Sequence, residues 1–222
     1  MNARGIDVSV WQDDNATSQK IDFNKAVSAG ASFAYIKASQ LAPDSDFVDN
    51  WKNAKDSGIL RGAYHYLDWR ESELTQAYRF VSMLKNDHGE LPPMADFEMK
   101  PMPSDAQGRL WNFLQIVERE LGVIPGIYCG YYSWTEYGTP NKGWARYPLW
   151  LAWWRIPQLF LRIPKPWTTW TFWQYDDKGD GLAFGAESKQ IDVNWYNGTE
   201  AQLHDKYGGS VKFCPTCGQK IP

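Results

Sequence analysis

The chain has 222 residues, 43% of them hydrophobic and 16% aromatic, with 13 Trp and a formal net charge of -3. That length and apolar content can fill one core, and a single barrel of β or α/β type is the expected unit. An acidic chain with scattered basic residues offers no electrostatic hold on nucleic acid or an anionic membrane, and no run reaches the roughly 18–20 apolar residues that span a bilayer.

From the N-terminus, RGIDVSV reads as a strand and DFNKAVSAG as a short helix that Gly30 can close with a left-handed residue. SFAYIKAS is the second strand. FVDNWKNAKDSG follows as a helix with Phe47, Val48 and Trp51 at helical spacing and Gly58 at its end. ILRGAYHYL is a third strand, and ESELTQAYRFVSMLKND places Leu74, Ala77, Tyr78, Val81 and Leu84 on the i, i+3, i+4, i+7 pattern of a helix lying on a sheet. MADFE is a fourth strand. Ser104 and Gln107 form a capping-box pattern before the helix LWNFLQIVEREL, and VIPGIYCG is the fifth strand. PLWLAWW, TTWTFWQY and KQIDVNWY then read as three closing strands, separated by segments rich in Pro, Gly and charge.

Alternating strands and helices imply parallel βα units with right-handed crossovers. The expected fold is therefore α/β: one irregular, TIM-like (β/α) barrel over residues 1–208, with five βα-type strands, three closing strands and few helices in its second half. Residues 209–222 form a short tail. The Trp content exceeds what a core usually needs, so part of it is expected in a ligand groove, where indole stacks on the apolar faces of sugar rings.

Asp96 and Glu98 carry the best clue to chemistry. If MADFE is a strand, side chains two residues apart leave the same face roughly 6–7 Å from each other, close enough to work on one bond; two solvated acids at a strand end are the alternative. Asp7 lies in the first strand and Asp192 in the last, both among apolar neighbours. Strand ends of a barrel converge on one mouth, so these four acids can share a cleft. Crowded carboxylates in a poorly solvated cleft do not all ionise together, and one of them is expected to hold a proton near neutral pH.

The segments GIDVSVWQ, FAYIKAS, GAYHY, MADFE, GIYCGYYSW, LWLAWW, FWQY and IDVNWYNG occur in this order over nearly the whole chain. In that order and spacing the sequence resembles the family 25 glycoside hydrolases, the Chalaropsis-type muramidases common among phage endolysins. The resemblance implies hydrolysis of the β-1,4 bond between N-acetylmuramic acid and N-acetylglucosamine in bacterial peptidoglycan, with no cofactor. It marks Glu98 as the catalytic acid, with Asp96 beside it and Asp7 and Asp192 as the remaining cleft acids. Either Asp96 or the substrate's own 2-acetamido oxygen attacks the anomeric carbon, and the resemblance favours the substrate-assisted route with retention. It places Tyr64, Tyr128, Trp154 and Gln174 in the groove, with burial in the core as the competing role for each aromatic. Lys37 either contacts a substrate carboxylate or, the favoured role, pairs with a cleft acid. One departure is ASQL, with Gln40, where family members often read ATEG, which alters the loop chemistry beside the cleft. A non-catalytic glycan-binding barrel and a chitinase-like hydrolase of another N-acetylated glycan are the rival readings.

The start, MNARGIDVSV, lacks a signal-peptide layout. The expectation is synthesis in the cytoplasm and action on the wall after release, as in a phage lysin, without membrane insertion. Cys214 and Cys217 in the terminal CPTC have zinc-knuckle spacing, but two further ligands are not evident, and His65, His88 and His204 do not supply them. A homodimer through this tail is the alternative use. Cys129 reads as a small buried hydrophobe.

Overall fold

A computed structural model describes residues 1–13 and 20–209. Eight strands close a barrel in sequential order: β1 (Arg4–Val8), β2 (Ala31–Ser39), β3 (Leu60–Tyr66), β4 (Met94–Asp96), β5 (Gly126–Gly130), β6 (Leu149–Ala152), β7 (Phe172–Asp180) and β8 (Gln190–Tyr196). From β1 to β7 neighbours are parallel, whereas β8 is antiparallel to both β7 and β1. Helices α1 (Phe23–Ser28), α2 (Phe47–Ser57), α3 (Glu73–Leu84), α4 (Ala106–Leu121) and the short α5 (Tyr131–Tyr137) follow the first five strands in turn. Only a 3-10 turn, Gln158–Phe160, interrupts the stretch from β6 to β7, and α6 (Glu200–Tyr207) follows β8. This is the irregular barrel expected from the sequence.

Side chains alternate across each strand, so the barrel has two cores. Inside, Phe33, Tyr35, Trp150 and Phe172 fill the lower part of the barrel, with Tyr35 stacked on Trp150 at 4.4 Å between ring centroids. Gly5 and Gly62 make that possible, since a Cβ at either would run into the ring of Phe33 or Tyr35. Outside, residues such as Ile6, Ile36, Ile127 and Leu151 pack under the helices.

Several local expectations need correction. Val48, Leu74 and Tyr78 face solvent; the buried face of α3 is Ala77, Phe80, Val81 and Leu84, and α2 buries Phe47 and Trp51. The capping box before α4 does not form. Asp105 occupies the N-cap without a side-chain bond, and Gln107 Nε2 instead donates to the Tyr137 carbonyl, a tertiary bond that displaces the local one. Most of the tryptophans are structural: three of the 13 line the central cleft, and Trp134, Trp144, Trp167, Trp170 and Trp173 are buried elsewhere. Cys129 is fully buried, and burial pushes its thiol pKa up. Cys214 and Cys217, with any role of the tail in metal binding or dimerisation, lie outside the described residues.

Candidate active site

The carboxyl ends of β1–β7 open on one mouth of the barrel, as in other βα barrels. Alternation along β1 turns Gly5, Asp7 and Ser9 inward. Ser9 caps the 3-10 turn Val10–Gln12 by accepting from Trp11 N, and its own N–H donates to Gln12 Oε1 at 2.7 Å, which sets the largely exposed Trp11 at the rim. Asp96 is the last residue of β4. Beyond it the Phe97 N–H still donates to the Tyr128 carbonyl at 2.9 Å, so the alternation runs on: Phe97 is fully buried outside the barrel, and Glu98 returns to the inner side.

β8 needs its reversed direction to contribute. Asp192 is near the start of that strand, and a parallel β8 would place it at the far mouth. Run antiparallel, β8 brings it into register opposite Asp7 on β1.

A cleft of about 300 Å³ results, and Asp7, Asp96, Glu98 and Asp192 all line it, together with Lys37, Tyr64, Tyr128, Trp154 and Gln174. Every site residue expected from the sequence within the barrel is therefore brought together. Ser9, Trp11, Gln12, Tyr66 and Trp150 line it as well and were not anticipated. Ser9, Trp11 and Gln12 stand within the matching segment GIDVSVWQ, Tyr66 within GAYHY and Trp150 within LWLAWW, so motif membership was the available signal.

Two amides hold Asp7. Gln174 Nε2 and Asn194 Nδ2 both donate to its Oδ2, at 2.9 and 2.7 Å. Their orientation is fixed by donors that cannot accept: Trp154 Nε1 donates to Gln174 Oε1 at 2.8 Å, and Trp150 Nε1 to Asn194 Oδ1 at 2.8 Å. The Tyr128 hydroxyl adds a third donor, to Gln174 Oε1 at 3.0 Å. Asp96 is treated differently, for its buried Oδ1 has no hydrogen-bond partner among the described residues.

These environments set the proton affinities. Burial raises the Asp7 pKa to about 6, the two amides opposing it. Asp192 rises to about 8, chiefly through burial and then through the charges of Asp7, Asp177, Glu98 and Asp176. Asp96 is pushed well above the carboxylate range by burial and by Glu98, with Lys37 opposing. Burial raises Glu98 too, against the Tyr128 hydroxyl and Lys37. The cleft therefore holds protons at neutral pH, which is what general acid catalysis requires. Lys37 does not form the expected ion pair: no carboxylate lies within 4.0 Å of it among the described residues, and its amino group donates to Gln40 Oε1 at 3.2 Å. Its influence on the acids is through space.

Among the described residues no group of three or more His, Cys, Asp or Glu could hold a metal ion, and no helix is long and apolar enough to cross a membrane. The family profile described as Glycosyl hydrolases family 25 matches residues 6–182. The chain belongs to this family. Within family 25, Lysozyme M1 of Streptomyces globisporus is 35% identical over 215 residues, covering 90% of this chain and 71% of the relative. The bacterial lysozyme of Streptomyces coelicolor superposes with a TM-score of 0.79 at 29% identity, covering 95% of this chain and 99% of that one. A muramidase of Acremonium alcalophilum gives 0.75 at 28% identity over 93% and 99%. All of the cleft residues up to Gln174 fall inside the matched span, and Asp192 and Asn194 lie beyond it on β8.

Proposed function

We propose that this family 25 enzyme is an N-acetylmuramidase that hydrolyses the β-1,4 bond between N-acetylmuramic acid and N-acetylglucosamine in bacterial peptidoglycan. The observation that carries the reading is the gathering of four carboxyl groups of raised proton affinity from β1, the end of β4 and β8 in one aromatic-walled cleft. Wall polymer lies outside the cell membrane, so an enzyme made in the cytoplasm acts on it after release, as a phage lysin does.

Glu98 is the general acid of this scheme. As the bond from the anomeric carbon to the bridging oxygen breaks, its electron pair goes to that oxygen, which takes the Glu98 proton. The substrate's acetamido oxygen bonds to the anomeric carbon, and Glu98, now a carboxylate, deprotonates the water that later opens this ring from the opposite face. The configuration is retained. Asp96 suits the supporting role. Its Oδ1, without a partner among the described residues, is a costly buried acceptor, and an acetamido N–H would satisfy it and stabilise the ionised form. Binding substrate would thereby favour the proton on Glu98, where it is used. The amide-held Asp7, which ionises at about pH 6, stabilises the positive charge that develops on the sugar, and the protonated Asp192 facing it leaves that charge on Asp7.

Glu98→Gln is expected to lower the rate of turbidity clearing of purified peptidoglycan by roughly 10²–10⁴-fold, with an unchanged circular dichroism spectrum. Undiminished clearing would remove Glu98 from its role. Anomer analysis of fresh product by NMR reads the stereochemistry, and an inverted product would exclude the acetamido route.

A further inference from the structure

Beyond Lys37 the cleft opens into a second depression of about 450 Å³. Its floor is apolar, made by Leu41, Ala42 and Pro43 from the loop between β2 and α2, and Trp11 and Lys37 line both spaces. Two cations face it. Lys37 has no carboxylate within 4.0 Å among the described residues, and its contacts are Gln40 Oε1 at 3.2 Å and the Tyr66 ring at 5.1 Å. Arg70, with an exposed side chain, grips the buried Asp68 through Nε at 2.9 Å and Nη2 at 2.7 Å, which leaves Nη1 to face outward without a protein acceptor among the described residues.

Gln40 joins the two, accepting from Lys37 and donating to Asp68 Oδ2 at 2.9 Å. Being neutral, it bridges without cancelling the Lys37 charge. A carboxylate in its place would pair with Lys37 and repel any anion arriving there. Asp44, the acid that lines this depression, already accepts from the backbone N–H groups of Val10 and Asp46, at 3.2 and 3.1 Å.

Where the lactyl groups of the muramyl sugars are closed as amides to the peptide stems, the glycan backbone is neutral and the carboxylates of peptidoglycan sit on those short stems. We propose that this second depression is a subsite for such a stem, whose carboxylate pairs with Lys37 and Arg70 while its aliphatic part lies on the Leu41–Pro43 floor, and that the neutral Gln40 keeps the subsite open to anions. The proposal rests on the muramidase reading. It supplies a local attraction where an acidic protein has no long-range one toward an anionic polymer.

Three soluble, uncrosslinked substrates test it: glycan strands carrying stems, the same strands stripped by an amidase, whose carboxylates are the lactyl groups left on the sugars and not on a stem, and strands whose stem carboxylates have been converted to amides with carbodiimide and ammonia. The unaltered enzyme is expected to show kcat/KM about 5- to 10-fold higher on the first than on either of the others, the range of a charge-assisted contact at a half-exposed site. In Gln40→Glu, and in Arg70→Gln, which keeps an uncharged bond to Asp68, that ratio falls toward one. The amidated strands, which keep the stem without its charge, act as each variant's own reference, so a change common to all substrates cancels. Equal kcat/KM on all three substrates, or a ratio that neither variant moves, overturns the subsite. Failure of the unaltered enzyme to cut any of the three would overturn the muramidase reading and this subsite with it.

Discussion

Asp192 faces Asp7 directly across an antiparallel strand pair, an arrangement in which two like charges are destabilising. A proton kept on Asp192 relieves the conflict: burial first, and the facing Asp7 charge after it, raise the Asp192 pKa to about 8, against 3.8 for a free aspartate. A group whose folded pKa is raised binds more protons in the folded than in the unfolded state between those two values. Its contribution to stability is therefore complete below about pH 4 and is lost as the pH rises through 8. Asp192→Asn removes the ionisation altogether. The variant is expected to melt several degrees above the unaltered protein at pH 8, with about 2–4 °C gained per kcal/mol for a chain of this length, and the gap should close at pH 4. Calorimetry at the two pH values checks this, and a gap independent of pH would contradict it. Peptidoglycan clearing is expected to fall in the same variant, because an amide cannot exchange a proton with the neighbouring cleft acids.

β8 shows how far sequence pattern reaches. Its existence, and the facing of Asp192 inward with Val193 outward, follow from the alternation in IDVNWY. Its direction does not, because a period of two is the same read either way, and only the closed barrel fixes it. The same limit explains other misses. The motif order made β1 to β7 and the four acids legible, whereas the capping box at Ser104 and Gln107 lost to a contact with Tyr137 thirty residues on, which no local window contains. Lys37 was assigned an ion pair because the sequence shows charges and not the 3.2 Å bond to Gln40 that replaces it. Asn194 was passed over although its register opposite Gly5, next to the Asp7–Asp192 pair, makes it a second amide support for Asp7. Asn194→Ala is expected to move the Asp7 titration alkaline of its value of about 6, since one of two donors to the ionised form is lost. It also strips Trp150 Nε1 of its acceptor, which costs about 1–3 kcal/mol. Carbon-13 NMR of labelled aspartate carboxyls reads the midpoint, and an unmoved Asp7 would show that Gln174 alone suffices.

The two mouths of the barrel divide labour, and the division has a measurable sign. At the open mouth, carboxylates are crowded at the expense of stability. At the far one, near the start of β3, the almost fully buried Arg61 is satisfied from every side. Its guanidinium bonds Asp87 through Nη1 and Nη2 at 3.1 Å each and Glu90 through Nη2 at 2.8 Å, and lies 4.5 Å from the centroid of the Trp51 ring on α2. Together these contacts tie β3 to α2 and to the loop that leads into β4. Arg61→Met keeps the packing on Trp51 and breaks the ion pairs, which for a buried cation with half-exposed partners costs on the order of 3 kcal/mol. The expected result is a melting temperature lower by about 6–12 °C, with kcat/KM on peptidoglycan unchanged well below the melt, because no Arg61 contact reaches the cleft. Asp192→Asn at the other mouth should do the reverse, raising the melting temperature at pH 8 and lowering activity. If both substitutions shifted melting and catalysis in the same direction, the separation of a stabilising end from a reactive end would not hold for this barrel.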